Sequence, residues 1–82
     1  MYYTYILISE THGRYYYEHT ANIEKRISEH NKGKVRSTKS GRPWKLHYFK
    51  TYETKSEAAK RECFFKSIDG YKWLKNEKIT KL

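Results

Sequence analysis

The chain has 82 residues and a mass of 10.0 kDa, a length that holds one domain over residues 1–82 and excludes a multi-domain assembly. Hydrophobic residues make up 37% and charged residues 33%, yet nine Tyr, three Phe and two Trp oppose disorder and predict a small folded domain with an aromatic-rich core. The net charge of +9 and a pI near 9.7 point to a polyanionic partner.

In chain order, Tyr3–Ser9 is β-branched and aromatic and reads as a first strand. A turn at Thr11, His12 and Gly13 leads to Arg14–His19, a second strand returning antiparallel to the first. Thr20 or Asn22 can cap a helix running to about Asn31, with Ile23, Ile27 and His30 recurring on one face and Gly33 supplying the stop. Arg26 lies at the edge of that stripe. Trp44–Tyr52 alternates Trp44, Leu46 and Tyr48 with Lys45 and His47, which predicts a third strand with one wet face. Thr54 and Glu57 have capping-box spacing and open a second helix through about Ser67, with Ala58, Glu62 and Phe65 on one face. Asp69-Gly70 is expected to break it, and Tyr71–Leu82 to form a short third helix carrying Trp73 and Leu74 to the core. The order is ββαβαα, an α+β class with a small three-stranded antiparallel sheet flanked by helices.

Charge is unevenly distributed. Residues 1–31 carry a balance of −1 and residues 32–82 a balance of +10. Lys32, Lys34, Arg36, Lys39, Arg42 and Lys45 follow one another with no acid among them, interleaved with Gly33, Ser37, Thr38, Ser40, Gly41 and Pro43. Such a loop is either a solvated connector or a phosphate-backbone contact that gains affinity by counterion release. No apolar run approaches the roughly 20 residues of a membrane span, and the chain start lacks the basic and apolar regions of a signal peptide. Cys63 is the only cysteine, which rules out an intramolecular disulfide and a Cys-based zinc site within one chain. A cytoplasmic location fits, and Cys63 is expected to be a small buried hydrophobe.

Several pieces together resemble a stand-alone GIY-YIG nuclease domain of the short bacterial kind. Tyr3-Thr4-Tyr5-Ile6-Leu7 sits where that family has its first motif, and Tyr16-Tyr17-Glu18-His19-Thr20 where it has the second. Ile23, Arg26, Ile27 and His30 follow at the family's spacing, and Gly41-Arg42-Pro43-Trp44-Lys45-Leu46 and Ser56-Glu57-Ala58 to Arg61-Glu62 also match. The resemblance runs from residue 2 to about residue 75.

The resemblance implies a metal-dependent endonuclease acting on DNA, with structured or damaged duplexes among its candidate targets. Phosphodiester hydrolysis needs an attacking water, a cation facing the transition state and a metal ion polarising the phosphate. By the family's pattern, Tyr5 would be the general base or the partner of a metal-bound hydroxide, a role that needs a nearby cation because a free phenol titrates near about 10. Arg26 would face the scissile phosphate, Tyr16 would orient water or phosphate, and His30 would support the site. Glu62 would hold a single Mg²⁺ or Mn²⁺.

The first motif departs from the pattern at Tyr3 and Thr4, which stand where the family has Gly and Ile, while Tyr5 is kept; a second departure matters more. Where the family's second motif ends in glycine this chain has Glu18, on the same strand face as Tyr16. A carboxylate there would repel the phosphate, serve as an extra metal ligand, or turn to solvent if the register is otherwise. A catalytically weakened DNA-binding module of the same fold is therefore a second functional class, and a small basic interaction domain a third.

Overall fold

The computed structural model describes residues 1–81. Tyr2–Ser9 (β1) is the central strand of a three-stranded antiparallel sheet, with Tyr15–Thr20 (β2) on one side and Trp44–Tyr52 (β3) on the other. Helix α1 spans Ile23–Asn31, α2 spans Lys55–Phe65 and α3 spans Ile68–Asn76, so the order ββαβαα and the α+β class are those of the sequence reading.

Strand periodicity sends alternate residues of β1 into two cores. Tyr5 and Leu7 pack with Trp44, Tyr16, Leu46 and with Ile23 and Ile27 of α1. Ile6 packs with Phe65, Leu74, Tyr17, Tyr48 and Trp73 under α2 and α3. Thr4 through Leu7 are fully buried, which is what helices on both faces of a sheet demand of its central strand. The buried Thr4 hydroxyl is satisfied by donating to the Ala58 carbonyl at 2.7 Å, tying α2 to β1.

Each helix start has a side-chain cap that satisfies an otherwise orphaned N–H. Asn22 accepts from Lys25 N at 3.1 Å, Thr54 and Glu57 form the full capping box, and Ser67 accepts from Gly70 N at 3.0 Å. Gly33, at φ +77°, follows α1 in the left-handed region that glycine adopts without strain.

Six sequence expectations are corrected. The basic segment is not all loop: Arg36–Gly41 forms a 3-10 turn. The second helix ends at Phe65, and Asp69-Gly70 does not break a helix but lies inside α3, which the Ser67 cap starts at Ile68. Gly70 serves close approach instead, since a methyl there would overlap the Phe64 carbonyl. The third helix ends at Asn76, and its expected last residue, Leu82, lies outside the described residues.

The simple alternation expected in β3 is interrupted by an irregularity opposite Ile6 and Leu7. Trp44 and Leu46 therefore face α1 while Tyr48 joins the α2 side, as an extra residue in a strand shifts all that follows to the other face. Finally, Cys63 is exposed rather than buried, because the buried face of α2 is set by Ala58 and Phe65.

The packing at Gly70 generates a test. Gly70→Ala is expected to destabilise the fold by about 1–3 kcal/mol through overpacking against α2, despite alanine's better helix propensity. A urea denaturation midpoint equal to or above wild type would refute this account.

Candidate active site

Glu18 of β2 is paired directly with Tyr5 of β1, and α1 brings two further side chains to the same point. One carboxylate oxygen of Glu18 accepts from the Tyr5 hydroxyl and from Arg26 Nε at 2.9 Å. The other accepts from Arg26 Nη2 at 3.1 Å and from the Tyr16 hydroxyl at 3.2 Å. His30 Nε2 lies 3.1 Å from the Tyr5 oxygen and 3.3 Å from Glu18. Because the Tyr5 proton is directed at Glu18, we assign Nε2 as a donor to this pair. The carboxylate thus faces five donor positions and has about four lone-pair sites to offer them.

Three elements hold this cluster rigid. Tyr5 and His30 are completely buried, and His30 Nδ1 is anchored 2.7 Å from Thr38 Oγ1 in the 3-10 turn. Trp44 Nε1 in turn donates to the Thr38 carbonyl at 2.6 Å. Arg26 is held from its other side by Glu29, with Nη1 donating at 3.1 Å.

The electrostatics follow from that geometry. Burial raises the Glu18 carboxyl, but hydrogen bonds from His30, Arg26 and Tyr5 outweigh it and hold the group well below the usual carboxylate range. Burial, followed by the hydrogen bond to Glu18 and the charge of Glu18, holds the Tyr5 phenol far above its ordinary value, and only partly does Arg26 pull it back. The cation beside Tyr5 that a general base needs is therefore present, but its effect is spent on Glu18.

Glu62 lies apart from this cluster. It projects from α2, and one of its oxygens accepts from the His19 main-chain N–H at 2.8 Å and lies 2.6 Å from His19 Nδ1. The other accepts from Lys66 Nζ at 2.8 Å. Burial raises the Glu62 carboxyl, while the bonds from Lys66 and His19 bring it to a net position below its ordinary value.

Among the described residues no three His, Cys, Asp or Glu side chains gather to hold a metal ion. The residues still fit a single ion held by one carboxylate oxygen, water and phosphate. Glu62 is an ionised hard-oxygen donor of the kind Mg²⁺ and Mn²⁺ take. The Lys66 side chain on its second oxygen is 52% exposed and can swing aside. Glu18 does not fit as an additional ligand in this arrangement, since both of its oxygens are already occupied by donors.

The basic residues rim the α1 side. Lys32, Lys34, Arg36, Lys39, Arg42 and Lys45 are all exposed, and none forms an ion pair among the described residues. Their backbone is fixed by the Asn31 side chain, which exchanges hydrogen bonds of 2.7 and 2.9 Å with the main chain of Trp44. Arg42 Nε donates to the Lys39 carbonyl at 2.9 Å.

The GIY-YIG catalytic domain family matches residues 1–76. The chain belongs to that family. A UPF0213 protein of Bacillus licheniformis is 44% identical over 57 residues, covering 68% of this chain and 59% of its own length. One from Staphylococcus saprophyticus is 44% identical over 64 residues, covering 77% of this chain and 78% of its own length. With the Listeria welshimeri protein the match covers 61% of the relative, so this GIY-YIG domain spans about three-fifths of the length of some relatives. The solution NMR structure of the UPF0213 protein BH0048 from Bacillus halodurans superposes with a TM-score of 0.55 at 29% identity. It covers 95% of this chain and 86% of that one.

Within this GIY-YIG domain, Tyr5, Tyr16, Arg26 and His30 come together around one point, and Glu62 stands on the other side of β2. Glu18 is neither turned to solvent nor free to ligate. Sequence reasoning did not single out His19, Glu29, Thr38 or Lys66. The i,i+4 spacing of Glu62 and Lys66 was a visible signal for one contact, whereas Thr38 meets His30 only through the path of the 3-10 turn.

A pH test follows. A carboxyl whose folded value is depressed contributes stability above its unfolded value, near about 4.3, and loses it as pH falls below that point. Wild type is therefore expected to lose stability from about pH 4.5 downward, and Glu18→Gln to be less stable at pH 7 with a shallower acid decline. Urea titrations at stepped pH values read this, and parallel slopes for the two proteins would contradict the assignment.

Proposed function

We propose that this chain is a divalent-metal-dependent endonuclease of the GIY-YIG type that hydrolyses phosphodiester bonds in DNA. The observation that carries the reading is the convergence of the Tyr5, Tyr16, Arg26 and His30 donors on one oxyanion position at the edge of a basic rim. Five N–H and O–H groups aimed at a single carboxylate form the kind of preorganised donor set that stabilises the charge of a phosphoryl transition state.

The roles we assign combine the family's pattern with this geometry. Arg26 presents Nε and Nη2 as a two-pronged fork suited to two phosphate oxygens. Tyr16 adds a third donor from the neighbouring strand. Tyr5, once its own proton has passed to solvent and the freed guanidinium stabilises the resulting phenolate, takes the proton of the attacking water, and His30 Nε2 holds the Tyr5 oxygen in place. Glu62 holds Mg²⁺ or Mn²⁺, which when bound supplies Lewis-acid polarisation of the phosphate. The six exposed cations from Lys32 to Lys45 bind flanking phosphates.

A second reading, a DNA-binding module of the same fold with weakened chemistry, is favoured by one specific observation. Glu18 already satisfies the donors that a phosphate needs. Nicking of supercoiled plasmid in Mg²⁺ or Mn²⁺ separates the two readings.

Two outcomes are expected. Tyr5→Phe, Arg26→Ala and Glu62→Ala each lower cleavage at least ~10²-fold with the fold retained, the range for losing one acid–base group or one transition-state charge. Full activity in either the Tyr5 or the Glu62 variant sinks the role assigned to that residue. Duplex affinity falls with log salt at a slope of about −3 to −5 for roughly four to six phosphates. Neutralising Lys34, Arg36 and Lys39 together flattens that slope, and an unchanged slope places the DNA surface elsewhere.

A further inference from the structure

Glu18 is the one group in the candidate site with no part in the proposed chemistry, yet it makes more contacts there than any other. Its carboxylate is planar, monoanionic and held by two Arg26 nitrogens, two tyrosine hydroxyls and an imidazole nitrogen. Arg26 engages it as a fork, one nitrogen on each oxygen, the geometry a guanidinium adopts with either a carboxylate or a phosphate. The Glu18 side chain is 18% exposed and that of Arg26 33%, so the pair is reachable from solvent rather than lying in a sealed core.

We infer that Glu18 is a built-in occupant of the phosphate position, so that this site accepts an external phosphate oxyanion only in exchange for the Glu18 carboxylate. The inference rests on the nuclease reading for the identity of the displaced ligand, a DNA phosphodiester, but not for the displacement itself. Co-occupancy is opposed on two grounds. The donors around Arg26 are already committed, and two anions a few ångströms apart in a partly buried site repel each other strongly because little solvent screens them. Exchange also costs Glu18 its partners, since a carboxylate leaving five donors must find water for itself.

This makes Glu18 a specificity-determining residue. An isolated phosphate offers too little to displace a tethered competitor, because the tether gives Glu18 a high effective concentration at the site. A long polyanion can displace it, by drawing on additional contacts along the basic rim of Lys32 to Lys45. Substrates are thereby selected for flanking duplex on the α1 side, and short oligonucleotides and free phosphate are rejected.

The test uses inorganic phosphate as probe, without metal, at matched ionic strength. Thermal midpoint shifts and ¹⁵N-edited imidazole NMR of His30 report binding to wild type, Glu18→Gly and Glu18→Gln. Ligand that binds only the folded state raises its stability in proportion to occupancy. Phosphate is expected to bind both variants at least tenfold more tightly than wild type, with Glu18→Gly the tighter of the two because it also vacates the space. Arg26→Ala on the Glu18→Gly background is expected to abolish the gain.

No gain in whichever variant folds overturns the inference, as does a gain that survives loss of Arg26. Should Glu18→Gly fail to fold, the near-isosteric Glu18→Gln decides alone. Plasmid nicking by the same variants in Mg²⁺ reports separately on the reading beneath. A gain in phosphate affinity without nicking supports Glu18 as occupant and removes the nuclease assignment, whereas nicking with no gain in phosphate affinity keeps that assignment and overturns the occupancy.

Discussion

A charged carboxylate taken largely out of water is tolerated only when its lone pairs are filled, and the α1 half of this molecule is organised to fill those of Glu18. β1 delivers Tyr5, β2 delivers Tyr16 and Glu18 itself, and α1 delivers Arg26 and His30. The requirement propagates outward. Buried His30 needs a partner for its second nitrogen and finds Thr38, and the Thr38 carbonyl is taken by the Trp44 indole. Trp44 is also clasped by Asn31 at the end of α1. The 3-10 turn that carries part of the basic rim is therefore pinned to the candidate site by a continuous set of hydrogen bonds, Trp44 to Thr38 to His30 to Glu18.

The second carboxylate obeys the same rule on the other side of the same strand. Alternation along β2 points Tyr16 and Glu18 toward α1, while Glu62 reaches His19 from α2. A single edge strand thus carries both halves of the candidate site, one on each face. The halves meet electrostatically around that edge. Lys66, bound to Glu62, is raised above its ordinary value by that bond first and then, after the opposing effect of burial, by the charge of Glu62, with the nearby Tyr16 and Glu18 adding to it.

Much of this was legible in the sequence because it depends on local rules. Strand and helix positions followed from β-branched runs, 3.6-residue stripes and caps, and the shared face of Tyr16 and Glu18 followed from strand period alone. What was missed depends on tertiary contact. Gly70 looks like a helix breaker until the Phe64 carbonyl beside it shows why no side chain fits. Tyr48 looks like a partner of Leu46 until the bulge sends it to the opposite core. The fate of Glu18 was open because sequence gives its face but not its distance from Arg26, and that distance decides between a repulsive anion and a neutralised one.

The charge pattern that results separates attraction from accommodation. At the centre, Arg26 is matched by both Glu18 and Glu29, so the one cation among the oxyanion donors carries no excess positive charge toward an incoming phosphate. At the rim, six exposed cations from Lys32 to Lys45 carry no ion-pair partner among the described residues, and it is such unpaired charge that exchanges counterions for phosphates. On the nuclease reading proposed above, long-range steering and most of the phosphate affinity would belong to the rim, while entry of a phosphate to the Tyr5 and Arg26 donors would depend on where one carboxylate goes. On that reading, sequence changes at the rim would alter how firmly a polyanion is held, whereas a change at position 18 would alter whether the held polyanion can present a phosphate to the site at all.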